Sequence, residues 1–424
     1  MTRTDNLPNR KFTVVIPTRD RADTLLYAIK SALSQDYQDF TVLVSDNASV
    51  DNTSDVVTSI KDDRLRYVHT GRRLSMSHNW EFALGFVPDG WVTVIGDDDA
   101  ILPGALKRVS GIADETGTQA VRANGCRYQW PTLRGGKYGA LAVDLGRGYR
   151  KVDSGRALQA VLDGRMDYTK LPVLYNGGFI SMELIKEAKS RREDGLFFRS
   201  LTPDVYSAMV FSLLTDEYVY SDEPLAVNGA SIHSGGTASF GIRVAHRKYD
   251  PAEKFWSEPN IPFHKSLPPA SNGRPVLSLH AMVYEAYLQA EDFHDRKEIS
   301  VDAAEQLQII MKEPRIRALE LRAWAKSFAE LHGINRSGAA GPVAAALARA
   351  QSSLALIRTV ALMLIRGIRI LGTERQPLLN VHEASLVTSQ ILMSRPGSFA
   401  RAANALGRVW HFLFIRPRRD NTMV

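Results

Sequence analysis

Four short apolar runs rich in β-branched residues recur along the first hundred residues, and their spacing constrains the fold more than any other feature. They begin at residues 12, 40, 65 and 91, and starts about 25 residues apart are typical of strands that alternate with helices. Between the first two runs, the apolar residues from Leu25 to Leu33 repeat at helical spacing, which predicts a helix that begins at Asp23 or Thr24. The pattern predicts an α/β sandwich with a mainly parallel sheet between helices.

Polar residues follow three of these runs, at the sheet edge where ligands bind in α/β proteins. The stretches are PTRDR at 17–21, SDNAS at 45–49 and the triplet Asp97, Asp98 and Asp99. Apolar residues flank the triplet on both sides, and carboxylates that leave water repel one another unless a positive group neutralises them. We therefore predict a divalent metal at this edge. The alternative is an acidic loop that stays in solvent.

Composition is typical of a soluble, mostly folded protein. Of the 424 residues, 44% are apolar and 23% are charged, so we expect two or three structural units. The single cysteine excludes an internal disulfide framework and a cysteine-rich zinc cluster, and it fits a reducing compartment. The first residues do not resemble a signal peptide, so we expect the protein in the cytoplasm.

The chain divides into three predicted parts. Residues 1–250 carry the α/β pattern. Residues 251–275 contain six prolines, too many for a regular element, and are predicted to form a linker or a long binding loop. Residues 276–424 are predicted to be helical, with the helical composition running from Val276 to His332.

The C-terminal part holds an excess of arginine. From Gly338 to Val424 there are eleven arginines and three acidic residues, a net charge of +8, whereas the whole chain carries +7. Residues 343–371 are apolar over most of a helix circumference, with Arg358, Arg366 and Arg369 on one arc. Two interpretations stay open: a helix that lies on the inner leaflet of the membrane, or one that packs in a C-terminal bundle or a homo-oligomer. Nucleic acid is not an expected partner, because no binding motif accompanies the charge.

Two segments together resemble a known family. The stretch VVIPTRDRADTLLYAIKSALSQDYQDFTVLVSDNASVDNT at 14–53 is followed by IGDDDAILPGAL at 95–106. In combination they are similar to the family 2 nucleotide-sugar glycosyltransferases with the GT-A fold, over roughly residues 10–240. The resemblance implies an inverting transfer of a sugar from a nucleotide-diphosphate sugar to an acceptor hydroxyl. It also implies Mn²⁺ or Mg²⁺ as cofactor, a carbohydrate or lipid-linked glycan as acceptor, and a place in bacterial surface polysaccharide or glycolipid assembly.

The resemblance assigns a set of donor-binding residues. Asp46 would accept a hydrogen bond from the base or ribose, and Arg73 would contact the phosphates. For Thr18 and Asp20 the alternative is turn chemistry alone, and for Asn79 it is a place at a helix N-terminus. The full set is Pro17, Thr18, Asp20, Asp46, Arg73, Asn79 and Asp97.

The resemblance also assigns the metal ligands. When the family's Asp-x-Asp-Asp pattern is aligned on Pro103, its first aspartate falls on Gly96, and Asp98 and Asp99 take the following acidic positions. Asp98 is then implied as the direct ligand of Mn²⁺ or Mg²⁺, with a neighbouring aspartate assisting, because hard carboxylate oxygens suit these ions. His233, beside a Gly-Gly loop, is implied as a further metal or phosphate contact. The alternative is a structural histidine.

The catalytic base is implied at the start of a helix predicted from Pro203 to Leu214. Asp204 occupies the carboxylate position of the family, although the family's Glu-Asp pair is Pro-Asp here. The alternative is that Thr202, Pro203 and Asp204 only stabilise the first turn of that helix.

Two other functions fit part of this pattern. A sugar-phosphate nucleotidyltransferase shares the α/β layout and the need for a metal, but its Gly-rich phosphate loop should follow the first strand, which here ends in PTRD. A non-catalytic nucleotide-sugar-binding scaffold protein would keep the fold without the chemistry.

Overall fold

One mixed β-sheet forms the centre of the part of the chain that the structure describes. This computed structural model describes residues 10–234, 258–296, 298–312, 318–334, 369–371 and 377–394. The strands are β1 (Phe12–Thr18), β2 (Phe40–Asp46), β3 (Leu65–His69), β4 (Trp91–Val94), β5 (Ala100–Ile101), β6 (Ala120–Gln129), β7 (Ala140–Val143), β8 (Tyr149–Asp153), β9 (Gly178–Ser181), β10 (Glu217–Ala230) and β11 (Arg369–Leu371).

The first four strands are parallel and lie in the order β4-β1-β2-β3. In this register Thr18 of β1 lies beside Asp46 of β2, and Val15 lies beside Val94 of β4. The carboxyl ends of β1, β2 and β4 therefore meet at one edge of the sheet, as the sequence predicts.

The later strands make the sheet mixed rather than mainly parallel. β9 pairs antiparallel with β4 and β6, and β7 pairs antiparallel with β6 and β11. β10 runs parallel to β6 but antiparallel to β5 and β8. The predicted parallel order holds only for β1 to β4. One reason is that the link between β6 and β7, residues 130–139, is too short for the crossover that parallel neighbours need.

Helices cover both faces of the sheet. They are α1 (Ala22–Leu33), α2 (Thr53–Ser59), α3 (Met76–Leu84), α4 (Ala105–Thr116), α5 (Pro131–Arg134), α6 (Ser154–Leu162), α7 (Met182–Ser190), α8 (Pro203–Leu214), α9 (Leu279–Leu288), α10 (Ala303–Met311), α11 (Ala318–Leu331) and α12 (Val381–Met393). The predicted bounds of α8 are confirmed. α1 begins at Ala22, one residue before Asp23, because the Ala22 N–H donates to Asp51 Oδ2 at 3.0 Å.

Two apolar clusters pack against opposite faces of the parallel strands. Along β1, Val14 and Ile16 belong to the cluster that includes α1 and α4, whereas Val15 belongs to the cluster that includes α3 and α8. Successive side chains of a strand point to opposite faces, so a strand that is covered on both faces is apolar along its whole length. This is why β1, β2 and β4 appear in the sequence as apolar runs, whereas β3 lies at the edge of the sheet with Arg66 and His69 exposed.

Helices α9, α10 and α11 extend the second cluster beyond the sheet. Tyr284 of α9 and Phe328 of α11 share that cluster with residues of α8. Residues 258–278 form neither helix nor strand, as their prolines predict. The indole of Trp324 holds this segment in place by donating a hydrogen bond to the carbonyl of Pro268 at 2.7 Å.

Most of the arginine-rich tail lies outside the described residues. The helix predicted over 343–371 lies outside them as far as residue 368. The last three residues of that helix prediction are wrong, because 369–371 form β11 and pair with the edge of β7, whose backbone groups need partners. Further on, α12 packs against α1. Within the described ranges, no helix is both long enough and apolar enough to cross a lipid bilayer.

Candidate active site

The three adjacent aspartates lie in a tight turn between β4 and β5. The Asp99 N–H donates to the Gly96 carbonyl at 3.1 Å, which closes the turn. Asp97, Asp98 and Asp99 are each at most 4% exposed. The interpretation of the triplet as a solvated acidic loop is therefore wrong, and each carboxylate needs a partner.

Asp97 finds its partner in an arginine of the protein. Arg21, which follows β1, places Nη1 2.8 Å from Asp97 Oδ1, and its Nη2 donates to the His233 carbonyl at 2.8 Å. Burial raises the pKa of Asp97, and the charge of Arg21 acts in the opposite direction. The expectation that a metal neutralises the whole triplet needs correction, because a guanidinium neutralises this member.

Asp99 connects the turn to β10. Its Oδ1 accepts the N–H of Gly229 at 2.7 Å, and its Oδ2 accepts the N–H of Gly96 at 2.9 Å. Burial, followed by the charge of Asp98, holds the pKa of Asp99 well above the usual value for an aspartate. Both oxygens are engaged with the backbone, so the arrangement favours a structural role for Asp99 over the predicted role as a metal ligand.

Asp98 is the member with an available oxygen. Its Oδ2 accepts hydrogen bonds from Ser231 Oγ at 2.7 Å and Ser234 Oγ at 2.6 Å. No described residue donates to Oδ1. A Cβ atom added at Gly96 would lie 3.2 Å from Asp98 Oδ1 and 2.9 Å from Asp99 Oδ2. The Gly96 backbone therefore lies close to both carboxylates, and Asp98 Oδ1 is a candidate ligand for a cation.

His233 does not join this cluster. Its ring Nε2 lies 3.0 Å from Asp23 Oδ2 at the start of α1. Within the described parts of the chain, no three or more His, Cys, Asp or Glu side chains are grouped closely enough to hold a metal. The prediction of a three-residue metal site of Asp98, Asp99 and His233 is therefore corrected to a single available carboxylate, because the other two side chains have protein partners.

Asp46 ends β2 at the same edge and is 1% exposed. Its Oδ1 accepts the N–H of Ser49 at 2.9 Å, and its Oδ2 accepts the hydroxyl of Tyr67 at 2.6 Å. Burial, followed by this contact with Asp46, raises the pKa of Tyr67 to about 12. Thr18, its neighbour in register, is also buried and lies beside Asp97.

Asp20 joins two loops of the site. It adopts φ +53°, and its Oδ1 accepts the N–H of Val50 at 2.8 Å while its Oδ2 pairs with Arg73 at 3.0 Å. These are the marks of turn chemistry, the alternative considered for Asp20. Arg73 makes an ion pair at the edge where it was expected to meet phosphates.

Asn79 lies in α3 and reaches back to β2. Its Oδ1 accepts the Ser45 hydroxyl at 2.8 Å, and the residue is 3% exposed. This hydrogen bond therefore joins α3 to β2 near the edge of the sheet. Pro17 precedes Thr18 in β1 and pairs in register with Ser45. The fold thus brings all the predicted donor residues to one edge.

Asp204 lies in the first turn of α8 and faces a tyrosine. The Tyr168 hydroxyl donates to Asp204 Oδ2 at 2.8 Å. The residue is partly exposed, yet burial of its carboxyl group raises the pKa of Asp204. Thr202 makes no side-chain cap hydrogen bond. The capping alternative therefore accounts for only part of this arrangement.

Tyr175 responds to both acidic groups. Burial, followed by the charges of Asp99 and Asp98 and then of Asp204, holds the pKa of Tyr175 well above its usual range. Asp98 has an oxygen that no described residue engages, and Asp204 is a second carboxyl group of raised pKa. These two groups suit cation binding and proton transfer.

The sequence interpretation missed several residues that build this site. Ser231 and Ser234 lie in a stretch from which only His233 was selected, and single serines carry no recognisable signal. Arg21 is part of the PTRDR stretch at 17–21, but the resemblance assigns it no role. Tyr168 and Tyr175 lie in a region without any motif, so only the structure could identify them.

The residues that build this edge fall largely within one family model. Residues 13–159 match the model described as glycosyl transferase family 2. Over these residues the chain is similar to glycosyl transferase family 2. The predicted α/β fold, with a helical region after it, is confirmed.

Curated proteins that are similar to part of this chain are named for bacterial glycan synthesis. The chain is 35% identical over 108 residues to the GalNAc(5)-diNAcBac-PP-undecaprenol beta-1,3-glucosyltransferase of Campylobacter jejuni, which is 25% of this chain and 35% of that protein. It is 32% identical over 115 residues to the succinoglycan biosynthesis protein ExoO of Rhizobium meliloti, which is 27% of this chain and 32% of that protein. The match thus spans about a third of each relative's length.

Two solved structures are also similar. S. aureus TarS 1–349 in complex with UDP-GlcNAc matches with a TM-score of 0.43 and 16% identity, covering 71% of each chain. The mannosyltransferase PcManGT from Pyrobaculum calidifontis, in complex with GDP-Man and Mn²⁺, matches with a TM-score of 0.40 and 17% identity, covering 92% of this chain and 88% of that one.

Proposed function

We propose that this protein is an inverting glycosyltransferase that moves a sugar from a nucleotide-diphosphate sugar to an acceptor hydroxyl. The observation that carries the proposal is the contrast between two carboxyl groups that both act on the Tyr175 phenol. Asp98 has an oxygen available for a cation, and Asp204 has a raised pKa and a phenol partner. Two carboxyl groups whose surroundings differ in this way suit two different roles.

The first role is to hold a divalent metal. Mn²⁺ or Mg²⁺ often binds through one or two carboxylates together with the phosphate oxygens of a substrate. Asp98 fits this mode, because Oδ2 is anchored by Ser231 and Ser234 while no described residue donates a hydrogen bond to Oδ1. When bound, the metal supplies positive charge that stabilises the leaving diphosphate.

The second role is general-base catalysis. Asp204 would accept the proton of the acceptor hydroxyl as that oxygen attacks the anomeric carbon from the face opposite the diphosphate. A base is more effective when its pKa approaches the working pH, and burial shifts the pKa of Asp204 in that direction. Its partial exposure leaves a route for the acceptor.

The donor's nucleotide would lie along the ends of β1 and β2. Asp46 and its partner Tyr67 present polar oxygens there. The ion pair of Asp20 and Arg73 lies at the mouth, where Arg73 can turn from the carboxylate to a phosphate. Pro17, Thr18, Asn79 and Asp97 support these positions from the strands, α3 and the aspartate turn.

The acceptor is proposed to be a lipid-linked glycan in bacterial polysaccharide or glycolipid assembly. One relative acts, by its name, on a PP-undecaprenol-linked glycan, and another belongs to succinoglycan biosynthesis. Such an acceptor suits a protein at the cytoplasmic face of the inner membrane. The arginine-rich tail would then contribute the membrane contact.

A donor screen tests the proposal. Thermal unfolding is measured with UDP-, GDP- and dTDP-sugars, with and without Mn²⁺, since a ligand that binds the folded state raises Tm. We expect one nucleotide class to raise Tm in a Mn²⁺-dependent way, and turnover of that donor to fall by roughly a hundredfold or more in Asp204→Asn.

The control for this test is Asp36→Asn, which changes an exposed aspartate of the loop before β2. Full turnover in Asp204→Asn would show that the base is elsewhere. Donor binding without any hydrolysis or transfer would favour the nucleotide-sugar-binding scaffold instead.

A further inference from the structure

We propose that Tyr168 is a positioning residue for the catalytic base: its hydroxyl fixes the orientation of the Asp204 carboxylate and favours the ionised form that accepts a proton. This inference rests on the proposed function, in which Asp204 is the base. The direct observation is the hydrogen bond from the Tyr168 hydroxyl to Asp204 Oδ2 at 2.8 Å. A hydrogen bond from a neutral donor to a carboxylate stabilises the charged form and restrains its rotation.

Tyr168 is itself held by a rigid support. It begins a short 3₁₀ turn, Tyr168–Lys170, which Asp167 caps by accepting the N–H of Thr169 at 2.8 Å. The Arg122 guanidinium on β6 donates to the Thr169 carbonyl at 2.5 Å. The turn is therefore tied to the central sheet rather than to a surface loop.

The last residue of the turn is bound from two strands. The Tyr218 hydroxyl on β10 donates to the Lys170 carbonyl at 2.7 Å. The Lys170 ammonium group donates to Asn124 Oδ1 on β6 at 3.1 Å and to the Tyr220 hydroxyl at 2.7 Å. These hydrogen bonds hold the backbone of the turn against β6 and β10. A turn held in this way restrains the position of the Tyr168 hydroxyl.

The charges around the pair come from both sides. Burial, followed by the charge of Asp204, holds the pKa of Tyr168 well above its usual range, so the phenol keeps its proton and acts as a donor. Asp167 adds to this effect and Arg122 opposes it. The charge of Asp204 also contributes to the raised pKa of Tyr175, so this second phenol is protonated as well.

Asp204 is subject to two opposing influences. Burial raises its pKa, and the hydrogen bond from Tyr168 lowers it. Loss of the hydroxyl alone therefore leaves burial less opposed and moves the titration of Asp204 to higher pH. The ring of Tyr168 packs against the apolar cluster shared with α8, and a phenylalanine ring preserves that packing.

The test is Tyr168→Phe, with the pH profile of kcat for the donor selected by the screen. The acidic limb reports the ionisation of the base. We expect it to move to higher pH by about one unit, with kcat on the plateau within roughly threefold of wild type. An acidic limb at the wild-type position in a folded Tyr168→Phe protein would overturn the proposal.

Tyr37→Phe is the matched control. It removes a partly buried phenol hydroxyl that donates to the Arg10 carbonyl at 2.8 Å, and it leaves Tyr168 and its support intact. A role of Tyr168 in stability alone predicts that both variants lower Tm and that neither shifts the limb. A shift seen only in Tyr168→Phe supports positioning.

A second measurement does not depend on turnover. The side-chain carboxyl carbon of Asp204, assigned by its loss in Asp204→Asn, is titrated by ¹³C NMR in the wild type and in Tyr168→Phe. We expect a higher titration midpoint in the variant, and equal midpoints would overturn the inference. If Asp204→Asn keeps full activity while the midpoints differ, the proposed function fails and the contact stands. If Asp204→Asn is inactive and the midpoints agree, only the positioning role fails.

Discussion

Gly229 in β10 is a position where a single added methyl group should displace the aspartate turn. A Cβ atom at this residue would lie 1.7 Å from the carbonyl oxygen of Asp98 and 3.1 Å from the indole nitrogen of Trp130. The same carbonyl accepts the Trp130 hydrogen bond at 2.9 Å. Gly229→Ala therefore collides with backbone of the aspartate turn rather than with a side chain that can turn away.

The size of the effect follows from the distance. To reach even a close contact of 3.0 Å, the turn and β10 must separate by roughly 1.3 Å, and overpacking of this kind costs about 1–3 kcal/mol. Loss of the Trp130 hydrogen bond adds about 1 kcal/mol. We expect a total loss of about 2–4 kcal/mol in the free energy of unfolding. A displacement of about 1 Å at Asp98 should also lower donor turnover by roughly a hundredfold.

Urea unfolding and donor turnover measure the two effects. Gly125→Ala is the matched control, because Gly125 pairs with Ala226 of β10 and its added Cβ would meet only the Ala226 carbonyl, at 3.6 Å. We expect that control to stay within about 1 kcal/mol of wild type. Equal stability and equal turnover in the two alanine variants would refute the view that β10 sets the position of Asp98.

Three further variants test the surroundings of the site. Arg21→Ala leaves Asp97 buried without its cation and should lower the free energy of unfolding in urea by about 3–5 kcal/mol. Adding Asp97→Asn should restore part of this loss. If the effects of the two substitutions are additive instead, the ion pair is contradicted. Asn79→Ala leaves the buried Ser45 hydroxyl without its acceptor and should cost about 1–3 kcal/mol, while an unchanged KM for the donor would limit Asn79 to this structural role. Burial raises the pKa of Glu285 to about 7 from 4.5, so ionisation of Glu285 opposes folding as pH rises through that range. The free energy of unfolding of Glu285→Gln should therefore gain about 3 kcal/mol relative to wild type between pH 5 and pH 8. A difference between the two proteins that is independent of pH would contradict this.

The sequence predicts the parallel half of the fold well because its signals are local. Strands β1, β2 and β4 are buried on both faces, so each appears as a continuous apolar run, and α8 has a proline at its first position. The later strands are less visible. β10 is fourteen residues long, shifts register on both sides of Pro224 and pairs with three other strands. Such pairing depends on distant residues.

The candidate site divides in the same way. Asp98 and Asp204 are predictable because each belongs to a motif. The partners that give them different properties are not, because Ser231 and Tyr168 come from other elements and only the fold brings them close. His233 shows the reverse error: its position in sequence suggests a ligand, but the loop after β10 turns its ring towards Asp23.

The most direct test of the central claim, that Asp98 holds the cation that binds the donor's diphosphate, is Mn²⁺ binding followed by electron paramagnetic resonance. The titration uses the full chain with and without the nucleoside diphosphate of the selected donor. We predict that the nucleotide promotes Mn²⁺ binding in the wild type and in Asp97→Asn, whose carboxylate is already paired with Arg21. In Asp98→Asn the affinity should fall by roughly a hundredfold. Equal Mn²⁺ binding in Asp98→Asn and wild type would contradict the account.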